Sequence, residues 1–230
     1  MTAPISVVIP TLNVADRIGP CLGALGEGLF AGLIHEVILA DGGSGDAIEI
    51  IAESTGAKLI RSARGRGIQL AAGAQAASGA DWLLFVHADT VLGADWPLAV
   101  RQHIASAPGK AACFRLRFDS DAFAARATES WANLRSRLFS LPYGDQGLLI
   151  RRRLYDEIGG YPEIPLMEDV AIVRALGRRR IRLLNCTATT SAERYERDGW
   201  LRRGARNLAT LARYRMGANP EDLARRYERR

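Results

Sequence analysis

The chain has 230 residues, 48% hydrophobic and 24% charged, with 23 glycines and a formal net charge of +6 at pH 7. These proportions suit one α/β domain with a full core and a tail, and they exclude a disordered, collagen-like or disulfide-scaffold protein. The basic balance suits an anionic partner such as a nucleotide, a nucleic acid or a phospholipid surface; lysine occurs only at Lys58 and Lys110, so the charge is arginine, which pairs bidentately with phosphate but also follows genome composition.

Four short apolar runs come first: "ISVVI" (5–9), "EVILA" (36–40), "AKLIR" (57–61) and "DWLLFV" (81–86). Each is rich in β-branched or aromatic residues and bounded by polar or glycine-rich residues, the pattern of a strand buried on both faces. Helical spacing near 14–29, 45–54 and 66–78 separates them. Alternating strand and helix predicts a mostly parallel sheet with right-handed crossovers, flanked by helices. The second half predicts a helix at 95–106, a strand at 112–118 with one solvated face, a helix at 121–139, a strand "IRLLN" and a basic helical tail at about 199–229. The fold class is therefore α/β, with a main domain over 1–198 and a tail over 199–230.

Cys21, Cys113 and Cys186 are odd in number and lack metal-like spacing, so buried reduced thiols in a cytoplasmic protein are expected. "MTAPISVVIP" lacks the features of a signal peptide, and no window reaches the length of a membrane-spanning helix.

In a parallel sheet, ligands bind beyond the carboxyl ends of the strands. The residues found there are Pro10, Thr11 and Asn13; Asp41, Gly42, Gly43 and Ser44; Arg64, Gly65 and Arg66; and His87 and Asp89. All four loops should converge on one crevice. A carboxylate such as Asp89, in a loop shared with a histidine, is well placed to hold a divalent cation against a phosphate oxygen. Taken alone, an aspartate at a strand end more often caps a helix or forms a turn. "ADGGSGD" offers glycines for close ligand approach and Ser44 as a helix cap, and reads equally well as an ordinary tight turn. Arg64 and Arg66 would match a diphosphate, with a solvated basic turn as the competing account.

The ordered set "SVVIPTLN", "EVILADGGSGD", "RGRGIQLAAGAQAASGADWLLFVHADT" and "GDQGLLIRRRLYDEIGGYPEIPLMEDV", over about residues 4–175, resembles the family 2 glycosyltransferases of the GT-A fold. Its His-Ala-Asp-Thr, Pro-Tyr-Gly-Asp-Gln-Gly and Pro-Leu-Met-Glu-Asp-Val segments are similar to a small bacterial subfamily of arsenosugar-biosynthesis and selenodomain-associated glycosyltransferases. The resemblance implies a nucleotide-sugar donor, UDP- or GDP-linked, bordered by Pro10, Thr11 and Asn13, with Asp41 at the base or ribose. It places Arg64, Arg66 and His87 on the donor side, and Asp89 as the metal ligand for Mg²⁺ or Mn²⁺. Asp169 matches the catalytic base of an inverting reaction, and Asp145 and Gln146 border the acceptor or sugar unless their glycine-bracketed turn is purely structural. Glu168 either orients the acceptor or caps the helix that starts there, the cap being favoured. The acceptor itself is not identified.

Two positions depart from the family pattern. His87 replaces the first aspartate of Asp-X-Asp, which removes a negative charge beside the nucleotide and changes the ligand type. Gly42 stands where a second aspartate is usual. Near the C-terminus, Arg194 and Arg197 precede a tryptophan, but too loosely to imply a processive polymerase. In the tail, Leu201, Leu208, Leu211 and Tyr214 recur at helical spacing with arginines on other faces. Packing on the core or a second subunit is favoured there, with contact at the inner face of the membrane also open.

The competing readings are a nucleotidyltransferase and a non-catalytic basic module for nucleic acid or anionic membrane. Against the first, "PTLN" follows the first strand instead of a glycine-rich phosphate loop. The glycosyltransferase reading expects no nucleic-acid partner.

Overall fold

The computed structural model describes residues 3–228. The ends of the expected main domain (1–2) and tail (229–230) lie outside the described residues. β1 (Ile5–Thr11), β2 (Ile34–Asp41), β3 (Lys58–Arg61) and β4 (Trp82–Phe85) run parallel, linked by α1 (Gly19–Phe30), α2 (Ile48–Thr55) and α3 (Arg66–Ala76). β5 (Val91–Leu92), α4 (Trp96–Ser106), β6 (Ala111–Phe118) and α5 (Phe123–Phe139) follow. A single 3-10 turn at Gly144–Gln146 then leads into β7 (Leu148–Arg151), α6 (Arg152–Glu157), α7 (Glu168–Leu176) and β8 (Ile181–Thr190). The chain continues through α8 (Glu193–Asp198), α9 (Trp200–Arg215) and α10 (Pro220–Glu228).

Among the described residues one sheet forms in the order β3-β2-β1-β4-β7-β6-β8-β5. β7 is antiparallel to β4 and β6, and β5 is antiparallel to β8. The sheet is buried on both faces because successive side chains of a strand point to opposite sides and β1 is apolar at both sets of positions. Ile5, Val7 and Ile9 pack with Leu25, Ile48, Trp96 and Val100 on one face. Val8 joins Leu70, Ala74, Leu154 and Ile172 on the other. A smaller cluster around Phe118 and Ala132 receives Tyr195 and Trp200 from the C-terminal helices, with the Phe118 and Trp200 rings edge to face at 5.2 Å.

The small residues of α3 let it lie close to its neighbours. A Cβ on Gly73 would stand 2.3 Å from Val8 Cγ1, and one on Gly67 would stand 2.4 Å from the Pro162 carbonyl oxygen and 2.5 Å from that of Ile164. The first turn of α3 is thereby held against the loop that precedes α7.

Several expectations change. Helix α1 starts at Gly19 because residues 12–18 form the loop over the end of β1. β5 and β7 had no counterpart in the sequence reading; both are short and exist through antiparallel pairing with distant strands. Ser44 does not cap α2, whose N-cap is Ala47; its hydroxyl turns back to the Asp41 carboxylate. The tail is broken into α9 and α10 near Gly217, where φ is +90°. The three cysteines are free and buried, and burial pushes the Cys21 and Cys113 thiols up to about 12, which leaves them protonated and unreactive.

Gly67→Ala is expected to lower stability by about 1–3 kcal/mol, the usual cost of forcing extra volume into a packed site. Equilibrium denaturation in urea checks this, because the contacts to be relieved are backbone oxygens rather than flexible side-chain ends.

Candidate active site

Loops at the carboxyl ends of the parallel strands form an open cleft. Pro10 and Thr11 end β1, Arg64 precedes α3 and Arg66 begins it, and His87 and Asp89 follow β4; all six line it. Asp145, Arg194 and two α10 residues, Glu221 and Arg225, close the far side. A deeper cavity shares Arg66, Asp89, Asp145 and Arg194 and continues to Glu168 and Asp169 at the start of α7. Tyr143, Thr190, Ser191, Tyr195, Arg203 and Asn207 form its remaining polar wall. Nine of the twelve residues expected at the donor, metal, acceptor or catalytic positions therefore meet around one connected space.

Three do not reach its wall. Asp41 is fully buried. It receives hydrogen bonds from Thr11 Oγ1 (3.2 Å), Gly43 N (3.0 Å), Ser44 N (2.9 Å) and the Ser44 hydroxyl, and pairs with Arg61 at 2.7 Å. Burial by itself would raise its carboxyl, but the bonds from Ser44, Gly43 and Thr11 outweigh burial and hold it below the usual range. Asn13, with φ +51°, ties the first loop to the second through Ser44 Oγ (2.8 Å) and Gly45 N (2.9 Å). Gln146 is buried, donating to Phe114 O (2.9 Å) and accepting from Ser136 Oγ (2.7 Å). Of the four loops, the second thus braces the cleft from behind.

Gln69 escaped the sequence reading. It is buried on α3 and its Nε2 donates to Thr11 O at 2.7 Å and to Ala40 O at 2.8 Å, clamping the ends of β1 and β2 together. The available signal was a lone amide in the small-residue run "GIQLAAGA". Tyr143, which carries Arg135 stacked 3.6 Å over its ring, and Arg203 and Asn207 were also missed, since their approach depends on where α5 and α9 pack.

His87 and Asp145 bridge the two halves of the site, Nδ1 to Oδ1 at 3.2 Å. Burial alone would raise the Asp145 carboxyl, but the His87 hydrogen bond and the charges of His87, Arg66 and Arg194 outweigh it and hold it at about 2. The imidazole packs against Gly144, where a Cβ would stand 2.7 Å from Nε2. His87 is therefore directed to the Asp145 turn. Asp89 faces the shared part of the cleft.

No group of three or more potential metal ligands is assembled among the described residues. One half-buried carboxylate lining a cleft that also carries Arg64 and Arg66 nevertheless fits Mg²⁺ or Mn²⁺, which are commonly held by one or two carboxylates together with substrate phosphate oxygens and water. Asp89 is the residue that would hold such an ion.

At the deep end, Asp169 lies in the first turn of α7, where a negative charge is favoured. Its Oδ2 accepts from Gly144 N at 3.0 Å and its Oδ1 from Val170 N at 2.7 Å. These bonds orient the carboxylate and leave lone pairs facing the cavity. Glu168 beside it is 1% exposed. Its Oε1 has no hydrogen-bond partner, the Arg66 guanidinium standing 3.6 Å away. It makes no side-chain cap to α7. Burial raises its carboxyl, reinforced by Asp169 and only partly countered by Arg66.

The glycosyl transferase family 2 profile matches residues 6–161. Among curated proteins none matches the chain. Among solved structures, S. aureus TarS in complex with UDP-GlcNAc is similar at a TM-score of 0.64 and 20% identity, covering 81% of this chain and 58% of that one. Glucosyl-3-phosphoglycerate synthase from Mycobacterium tuberculosis, in complex with Mn²⁺, UDP and glucosyl-3-phosphoglycerate, is similar at 0.53 and 22% identity, covering 82% and 70%. The same enzyme with Mg²⁺ and UDP gives a TM-score of 0.56. At these identities the likeness establishes a shared α/β fold of the GT-A type, and this chain spans less than two thirds of the TarS structure's length.

A buried glutamate with a raised native pKa favours folding less as pH rises from the ordinary Glu value, about 4.3, toward its native one, since the native state there binds more protons. Glu168→Gln lacks that proton. It should match the wild type in acid and become relatively more stable as pH rises through that window, by at most about 1.4 kcal/mol per pH unit. Denaturation midpoints of the two proteins across pH 4–8 read the difference, and parallel pH profiles would refute it.

Proposed function

The chain belongs to glycosyl transferase family 2, and from that premise we propose that it moves a sugar from a UDP- or GDP-linked donor to an acceptor hydroxyl, with inversion and with dependence on Mg²⁺ or Mn²⁺. The observation that carries this reading is that Asp89 and Asp169 line one cavity, with Arg66 between the open cleft and the deep end. The UDP-bound neighbours support a uridine donor. The His-Ala-Asp-Thr and Pro-Leu-Met-Glu-Asp-Val segments support the arsenosugar and selenodomain-associated subfamily as the finer placement.

The donor diphosphate lies against the strand ends, its base toward the Pro10–Asn13 loop that Asp41 braces. Arg64 and Arg66 bind its oxygens, where fixed positive charge stabilises the leaving group. A divalent cation at Asp89, when bound, adds Lewis-acid neutralisation of the same charge. His87 holds the Asp145 turn beside the sugar. The acceptor enters through the deeper cavity and its hydroxyl oxygen attacks the anomeric carbon from the face opposite the diphosphate. As that bond forms, the bond from the anomeric carbon to the phosphate oxygen breaks and its electron pair leaves with the nucleotide. Asp169 takes the hydroxyl proton, acting as a general base from a position fixed by Gly144 N. A single displacement inverts the anomeric configuration.

Residues 1–198 are read as the transferase domain and 199–230 as a tail that completes its walls, because Arg203 and Asn207 line the cavity and Glu221 and Arg225 the cleft. We place the protein in the cytoplasm, where nucleotide sugars are at hand.

The test is thermal shift and turnover with UDP-, GDP-, ADP- and dTDP-sugars, with and without Mn²⁺. The wild type should be stabilised by one nucleotide class in a metal-dependent way, and Asp89→Ala should lose that shift. Asp169→Asn should keep the shift while donor turnover falls about 10²–10⁴-fold, the usual contribution of a positioned base. Near-normal turnover in Asp169→Asn would remove it from the base role, and no shift with any donor would overturn the nucleotide-sugar reading.

A further inference from the structure

The outward faces of α5 and α9 are apolar where surface helices are ordinarily polar. α5 buries Ala125, Glu129, Ala132 and Ser136. On its opposite side, Phe123, Trp131, Leu134 and Leu138 form a second apolar stripe, with Phe123 88% and Trp131 54% exposed. α9 repeats the arrangement: it turns Arg203 and Thr210 inward, and carries Leu201 (90% exposed), Leu208 and Met216 on the outer side. The two helices pack against one another, and each carries an unpartnered apolar stripe on the side away from its buried residues. No helix among the described residues is long and apolar enough to cross a membrane.

The exposed charges within the two helices have one sign, while exposed carboxylates lie just outside them at Asp121, Glu193 and Glu196. Arg202, Arg213 and Arg215 are exposed on α9 and Arg137 on α5. From Trp200 to Asn219 the sequence contains no aspartate or glutamate. The single acidic residue of α5, Glu129, is buried, bonded to Phe118 N and to Arg126. Large apolar side chains flanked by arginines, whose stems lie along the apolar surface while their heads reach outward, suit the boundary between acyl chains and anionic headgroups. A second copy of the chain fits less well. A two-fold contact through this face would bring one arginine rim onto its equivalent, with no exposed carboxylate on either helix to pair.

We propose that the α5–α9 face docks the protein peripherally on an anionic phospholipid bilayer. The inner side of α9 supplies Arg203 and Asn207 to the cavity wall and its outer side supplies the docking stripe. Docking therefore holds the deep cavity within about one helix diameter, 10–12 Å, of the headgroup layer. This inference goes beyond the transfer reaction and does not depend on it.

The experiment is co-sedimentation of the full chain with vesicles of phosphatidylglycerol and phosphatidylcholine in equal parts, and with phosphatidylcholine alone. The wild type should sediment with the anionic vesicles at least tenfold more than with the neutral ones, and less as salt is raised. The variant Trp131→Ser/Leu138→Ser/Leu208→Ser changes only exposed side chains and should lose binding at least tenfold with its thermal midpoint unchanged. Arg202→Glu/Arg213→Glu should lose it by the electrostatic route. The proposal is overturned if the wild type stays in the supernatant with both vesicles, or if the serine variant binds as the wild type does. It is equally overturned if light scattering shows a dimer that the serine variant converts to monomer while vesicle binding is absent.

Discussion

The site depends on how closely the first turn of α3 can approach the loop before α7. Gly67 sits where any side chain would strike the carbonyl oxygens of Pro162 and Ile164, and that proximity sets Arg66 3.6 Å from Glu168. Arg66 belongs to the strand-end cleft and Glu168 to the deeper cavity. Bringing the two elements together joins the strand-end cleft to the carboxylates of α7. The cost falls on Glu168, a carboxyl buried beside Asp169 with an oxygen left unbonded. Such unsatisfied groups are uncommon in folded proteins and concentrate where function sets the arrangement.

A second junction runs through His87. Antiparallel pairing aligns Phe85 of β4 with Leu148 of β7, so the residues just after β4 meet those just before β7. His87 thus reaches Asp145, and Gly144 leaves room for the ring. Where the family pattern has a carboxylate at this position, the chain uses an imidazole that joins the two loops and leaves Asp89 as the carboxylate facing the cleft. The same turn presents Gly144 N to Asp169, so one short 3-10 segment fixes both His87 and Asp169.

Basic charge is distributed by task. Arg64, Arg66 and Arg194 face the cleft, Arg61 neutralises the buried Asp41, and Arg126 closes the ion pair that buries Glu129. The arginines of α9 divide between inward ones, Arg203 and Arg206, paired with Asp198 at 2.7 and 3.8 Å, and the exposed Arg202, Arg213 and Arg215. A net charge of +6 therefore describes several local arrangements, which the total by itself does not distinguish.

The sequence alone determined that the first half is a parallel α/β unit and that residues after its strands form the working end. Short β-branched runs separated by amphipathic segments admit few other folds. Local pattern therefore pointed to Arg66 and Asp89, and the family resemblance to Asp169, as candidate site residues. It could not decide which polar side chains at the strand ends stay available to a ligand. Asp41 and Asp89 look alike in sequence, yet one is enclosed by five partners and the other faces the cleft, because the loop after β2 folds back on Ser44 and Arg61. The β4–β7 pairing, the pairing of His87 with a residue 58 positions away and the outward apolar face of α5 were likewise decided by tertiary structure. Each depends on which distant segments pack together, and a local periodicity carries no record of its eventual neighbour.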